Sequence, residues 1–158
     1  MQVARPVINE VDPALIHQLQ SIGCTVTPLS QQEHYYRIVA YNMKDSINRI
    51  MEILQKMAPH VVELKLSFTN ADNASLQYIP KFVNLEKLWL DHTGVSVEGL
   101  KTISNLKNLK YLNVYKTNME NQEIAAINFS KEMQVISPTP KDTALIASDS
   151  VIVSAIKK

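Results

Sequence analysis

Between Val61 and Ile136 the chain repeats one pattern at a fixed interval of 24 residues. The copies open with Val61-Val62-Glu63-Leu64-Lys65-Leu66, Leu85-Glu86-Lys87-Leu88-Trp89-Leu90 and Leu109-Lys110-Tyr111-Leu112-Asn113-Val114. Met133-Gln134-Val135-Ile136 begins a fourth. Apolar columns run through Val61, Leu85, Leu109 and Met133, through Leu64, Leu88, Leu112 and Ile136, and through Leu66, Leu90 and Val114. Thr69, Thr93 and Thr117 follow three residues later. A second apolar set comprises Leu76, Leu100 and Ile124, then Ile79, Ile103 and Ile127. Phe82 and Leu106 close the unit, with Phe129 one place early in the last copy.

Each half of the unit has its own period. Leu88 and Leu90 alternate with Lys87, Trp89 and Asp91, which is strand periodicity. Leu100, Ile103 and Leu106 recur at spacing three, one face of a helical turn. A single strand-helix unit of this size cannot bury its own apolar face, whereas stacked units share a continuous core. Columns held in register over three copies are not a chance alternation of Leu and Lys. The Thr column is expected at the strand-to-loop corner, its hydroxyls satisfying loop backbone groups.

This pattern, L-x-x-L-x-L-x-x-T-x-V, resembles the leucine-rich-repeat family, with Thr where many members carry Asn. The resemblance covers about half the chain. It implies an α/β fold: a short solenoid with parallel strands on a concave face, helices on a convex face, and a cap at both ends.

Upstream, Asp12-Pro13 suits the start of a helix, with Asp as N-cap and Pro at the first helical position. Leu15, Ile16, Leu19 and Ile22 form its stripe, and Gly23 stands where a terminating glycine belongs. Residues 24–29 alternate as a short strand, and Tyr35–Tyr41 reads as a second, with Tyr36, Ile38 and Ala40 on one face. A helix is expected from Asp45 through Ile47, Ile50, Ile53, Leu54 and Met57, stopped by Pro59. Ile38 precedes Leu64 by 26 residues, as Ile50 precedes Leu76. Residues 1–60 therefore read as an N-terminal cap plus one irregular repeat, with an independent small α/β lobe as the alternative. Residues 61–136 carry the repeats. Residues 137–158 read as a C-terminal cap or tail, a short helix and then a strand at Val151-Ile152-Val153, within the same compact domain.

Composition narrows the function classes. Sixteen basic and fifteen acidic residues nearly cancel, which supplies no electrostatic basis for binding nucleic acid. No apolar run reaches membrane-span length. The N-terminus lacks the apolar core of a secretory signal. Cys24 is the single cysteine, so no internal disulfide forms and no haem-attaching Cys-x-x-Cys-His exists. It reads as a small buried apolar residue. Three glycines are too few for a phosphate-cradling loop. His17, His34, His60 and His92 show no metal-ligand spacing. His17 and His92 read as solvated surface residues and His60 as a turn residue. Asp91 and His92 are adjacent on a strand end, so their side chains are expected to diverge, with no nucleophile paired to them. No catalytic residue, metal or cofactor is expected.

The outward strand residues form the candidate binding face. Glu63, Lys87, Tyr111 and Val135 make one expected row, and Lys65, Trp89, Asn113 and Ser137 the next. Ser67, Asp91 and Tyr115 follow, then Phe68, His92 and Lys116. Arg37, Val39 and Tyr41 extend the rows on the N-terminal side. Trp89 beside Tyr111 and Tyr115 is an aromatic group of the kind enriched in binding hot spots, with Lys65, Lys87, Asp91, Asn113 and Tyr41 around it. The alternative is that these rings only cover the sheet and pack on one another. The flat face measures roughly 240 Å², against about 800 Å² per partner in a standard interface. A partner must therefore also use the loops, bind weakly or be tethered.

The expected function is non-enzymatic protein-protein interaction through the concave face, with an unidentified protein as partner. A second resemblance carries the alternative. Asp12–Leu19, Gly23, the strand pair and Thr93-Gly94-Val95-Ser96-Val97-Glu98-Gly99-Leu100 look like the C-terminal repeat region of bacterial membrane proteins that carry a c-type cytochrome domain. Glu123, in place of the second glycine, departs from that pattern. This resemblance implies an accessory domain outside the cytoplasm, with haem and membrane anchor elsewhere in the parent. A free-standing module would instead be cytoplasmic.

Overall fold

A computed structural model describes residues 5–136 and is α/β. Six strands form one sheet in chain order: β1 (Thr25–Pro28), β2 (Tyr36–Val39), β3 (Val61–Lys65), β4 (Lys87–Trp89), β5 (Tyr111–Asn113) and β6 (Gln134–Ile136). β1 and β2 pair antiparallel, and every later neighbour pairs parallel. Parallel neighbours need a crossover. The crossovers carry α2 (Ile47–Leu54), α3 (Asn73–Leu76), α4 (Val97–Ile103) and α5 (Asn121–Ala126), while α1 (Pro13–Ile22) precedes β1. The helices pack in chain order, α1 on α2, α2 on α3 and α3 on α4. The expected C-terminal cap, with its strand at Val151–Val153, lies outside the described residues.

Register follows the apolar columns. Ile38 pairs with Leu64, Leu64 with Leu88 and Leu88 with Leu112, and all four are wholly buried. Leu76, Leu100, Ile124, Ile79 and Ile103 face them, within one apolar cluster running from Val11 to Val135. The 26-residue offset of the first unit is therefore real in space.

The last strand departs from the 24-residue rule. Gln134 N–H donates to the Lys110 carbonyl, but the ladder then runs one residue short, pairing Leu112 with Val135 rather than Ile136. A one-residue slip exchanges the two faces of a strand. Here it turns polar Gln134 outward and buries Val135, so Val135 is not part of the outward row. Ile136 takes the place beside Asn113 expected for Ser137, which lies outside the described residues.

The unit ends are polar and equally periodic. Thr69, Thr93 and Thr117 each donate a hydroxyl hydrogen to the carbonyl three residues back, Leu66, Leu90 and Val114, at 2.7, 2.5 and 2.7 Å. Asn84 and Asn108 reach back to the Pro59 and Val83 carbonyls at 2.8 and 2.7 Å. Helix N-caps form a further column: Ser46, Asp72, Ser96 and Glu120. Asp72 accepts from Ser75 N–H at 2.9 Å, and Glu123 accepts from Glu120 N–H at 2.8 Å. Upstream, Asp12 caps α1 through Ala14 N–H, and Gly23 closes it at φ 109°, a left-handed conformation natural to glycine. α2 stops earlier than expected. Its α-helical part ends at Leu54, and a 3₁₀ segment carries the chain through Pro59. Proline has no N–H and clashes with the carbonyl four residues back, so α-type bonding cannot approach it.

Gly99 shares the third helical position with Ser75 and Glu123, but its reason is space. A β-carbon there would collide with Asn73 Oδ1 and lie 2.9 Å from Leu76 Cδ1. Asn73 is held in place by Ser96, whose N–H it accepts at 2.8 Å. At Gly94 the nearest atom would be 3.5 Å away.

Leu88→Ala and Leu112→Ala are each expected to lower the unfolding free energy by about 2–5 kcal/mol in urea titrations. Gly99→Ala is expected to lower the melting temperature clearly, and Gly94→Ala to leave it nearly unchanged.

Candidate interaction face

The face opposite the helices is built from the strand residues that alternate with the leucine columns. Arg37, Glu63 and Lys87 lie side by side on β2, β3 and β4. Glu63 binds Arg37 Nε on one oxygen and Lys87 Nζ at 3.1 Å on the other. Burial pushes the Glu63 carboxyl upward, but hydrogen bonds and charge from Arg37 and Lys87 outweigh it, leaving the group below its ordinary value. The next row is Val39, Lys65, Trp89, Asn113 and Ile136. Lys65 Nζ lies over the Tyr41 ring at 5.7 Å. Trp89 and Tyr111 pack with centroids 5.1 Å apart.

Beyond the strands, strict alternation ends. Asn42, Phe68, His92 and Lys116 all have φ between 52° and 58°. Side chains on opposite faces of a strand are thereby brought to one edge. The result is an aromatic ladder: Tyr41 to Phe68 at 5.3 Å, Phe68 stacked on His92 at 3.9 Å, and His92 edge-on to Tyr115 at 5.7 Å. Lys116 Nζ sits 5.4 Å from the Tyr115 ring centre. Below the ladder Asp91, almost fully buried, accepts from Ser67 Oγ at 2.6 Å and from Asn113 Nδ2 at 3.4 Å.

Three expectations need correction. Trp89, Tyr111 and Tyr115 are not one group, because Tyr115 packs on His92 while Trp89 packs on Tyr111. His92 is partly buried within the ladder rather than a solvated residue. The Asp91 and His92 side chains do not diverge: His92 Nδ1 lies 3.4 Å from Asp91 Oδ2, because the left-handed turn at His92 replaces the strand geometry. Ser67 is bonded to Asp91, but it is wholly buried and its hydrogen is directed at a carboxylate, so it presents no nucleophile to solvent. Of the remaining candidates, Lys65, Lys87, Asn113 and Tyr41 lie on this face, whereas Asp91, with Ser67 of the same expected row, is buried beneath it because the two bond to each other. Asn42 and His92 are residue types enriched in the left-handed conformation, whereas no local sequence signal marks Phe68 or Lys116 for it.

An open groove of about 510 Å³ lies beside the ladder, between the loops that follow β2, β3 and β4. Phe68, His92, Ala71, Gly94, Asp72, Lys44 and Asn42 are among the residues that line it. Elsewhere, Cys24 is buried and its thiol is pushed up to about 11 by desolvation, which suppresses thiolate chemistry. His17 is exposed, and His60 Nδ1 contacts the His34 carbonyl at 3.0 Å. Among the described residues, no three His, Cys, Asp or Glu side chains are placed to hold a metal, and no helix is long and apolar enough to cross a membrane.

Compared with models of protein families and with curated proteins, the chain finds no match.

The Arg37–Glu63–Lys87 cluster sets a pH dependence. Glu63 has its ordinary value of 4.5 when unfolded and a lower one when folded, so its contribution is complete above pH 4.5 and is lost as pH falls through the folded value. In urea unfolding across pH 3 to 6 (roughly the carboxylate range), Glu63→Gln is expected to show a shallower acid loss than the wild type. Parallel curves would remove the cluster from the stability argument.

Proposed function

We propose that this chain is a leucine-rich-repeat module, a short solenoid whose strand face binds another protein and performs no catalysis. The supporting observation is the combination of in-register leucine pairing with an uncovered face bearing Trp89 and Tyr111 in contact. Partly exposed aromatic pairs on a rigid sheet offer large contact area at low entropic cost, the usual chemistry of hot spots. The ladder and groove enlarge the available surface beyond the strands, which answers the small area of the flat face. Buried Ser67 and Asp91 are bonded to each other and to structural neighbours, so they serve the fold in this reading.

Trp89→Ala is the test. Its aromatic pair with Tyr111 is worth about 0.5–1.5 kcal/mol, so the variant is expected to fold with at most a small drop in melting temperature. In crosslinking against the source organism's proteins, it is expected to lose a product that the wild type forms. If Trp89→Ala unfolds the protein as Leu88→Ala does, the indole belongs to the core and the binding reading fails.

A further inference from the structure

The charges on this face are not evenly available. Glu63 is held by Arg37 and Lys87. Asp91 is held by Ser67, Asn113 and His92. Glu86, at the opposite ends of the strands, is held by Arg5 at 3.0 Å and Lys110 at 3.5 Å. Lys65 and Lys116 have no carboxylate partner among the described residues. Each lies over an end ring of the ladder, Tyr41 and Tyr115 respectively. Lys44, also exposed, borders the adjoining groove. An approaching molecule therefore meets satisfied carboxylates and unsatisfied ammonium groups.

We infer that the ladder edge takes an extended acidic polypeptide segment, with carboxylates on Lys65 and Lys116 and an apolar side chain in the groove beside Phe68 and His92. This rests on the interaction reading above and specifies its partner. Tyr41 and Tyr115 stand on units three strand steps apart, roughly 14 Å. Acidic residues four apart in an extended segment span about 13 Å, so one such segment reaches both lysines. Cation–π contact leaves an ammonium free to bond a carboxylate on its other side. Nucleic acid fits less well. Its closely spaced phosphates require a basic stripe, whereas this chain has a formal net charge of +1 and carries Glu63 on the same face, with Asp91 beneath it. An anionic membrane likewise calls for a cluster of basic residues rather than two or three.

The experiment is selection from a random nine-residue peptide library on the immobilised full chain, followed by titration of the selected peptides and their Gln-for-Glu analogues. The wild type is expected to enrich peptides with two acidic residues flanking an apolar one. Their binding is expected to fall about tenfold on neutralising the peptide acids and to weaken with salt. Lys65→Glu/Lys116→Glu, checked for an unchanged melting curve, is expected to reject these peptides and favour basic ones. Lys65→Arg/Lys116→Arg is expected to retain them. Enrichment without acidic bias, or acidic peptides that bind the reversed variant equally, overturns this inference and leaves the interaction reading standing. Enrichment of nothing above a blank surface overturns both. Tighter binding of oligo-dT or of phosphatidylserine vesicles than of any peptide assigns the lysines to a different class of partner and overturns the inference.

Discussion

Everything in this fold depends on leucines that have no satisfactory partner within their own unit. β4 and β5 are three residues long. Strands that short have no independent stability. They persist because Leu64, Leu88 and Leu112 are wholly buried against one another and against Leu76, Leu100 and Ile124. Apolar burial of this kind contributes about 25 cal/mol per Å². Removing one leucine therefore weakens its own unit and both neighbours.

The polar columns make that stacking specific. The Thr hydroxyls, the Asn84 and Asn108 amides and the helix N-caps return at the same interval as the leucines. The Thr hydroxyls, the Asn amides and the Asp72 cap satisfy backbone groups that the short elements leave open, and a buried unsatisfied group costs about 1–3 kcal/mol. Hydrophobic packing alone would tolerate slippage between units. Hydrogen bonds at both ends of the unit do not. Glu132 stands where Asn84 and Asn108 stand in the earlier units, and just after it the register slips by one residue.

The same ends of the strands shape the candidate site. On the strands proper, alternation decides which side chains face outward, and Lys87, Trp89, Tyr111 and Asn113 obey it. At the edge, four consecutive units enter a left-handed turn, three of them at residues other than Asn. That turn carries Phe68 and His92 onto one line with Tyr41 and Tyr115. Asp91, bonded to Ser67 across two units, underpins the line. Rigid stacking thus produces an organised edge from residues that no short motif connects.

The amino-acid sequence by itself determined the strand-helix alternation, the parallel pairing of Leu64, Leu88 and Leu112, the Thr corner, the N-terminal helix with both of its caps, and the rows through Lys87 and Tyr111 and through Lys65, Trp89 and Asn113, but not the burial of Ser67 and Asp91. These follow from periodicity and from local backbone preferences, which are properties of neighbouring residues. Tertiary structure alone decided the last register, the early end of α2, the division of Trp89 from Tyr115 and the burial of His92. The register of β6 depends on which of Val135 and Ile136 fills the core, a competition settled by packing. The aromatic ladder depends on φ at Phe68, His92 and Lys116, and of these residue types only His carries a preference for that turn. Gly99 shows both levels at once: the repeat marks its position, but only the neighbouring Asn73 explains why no larger residue fits there.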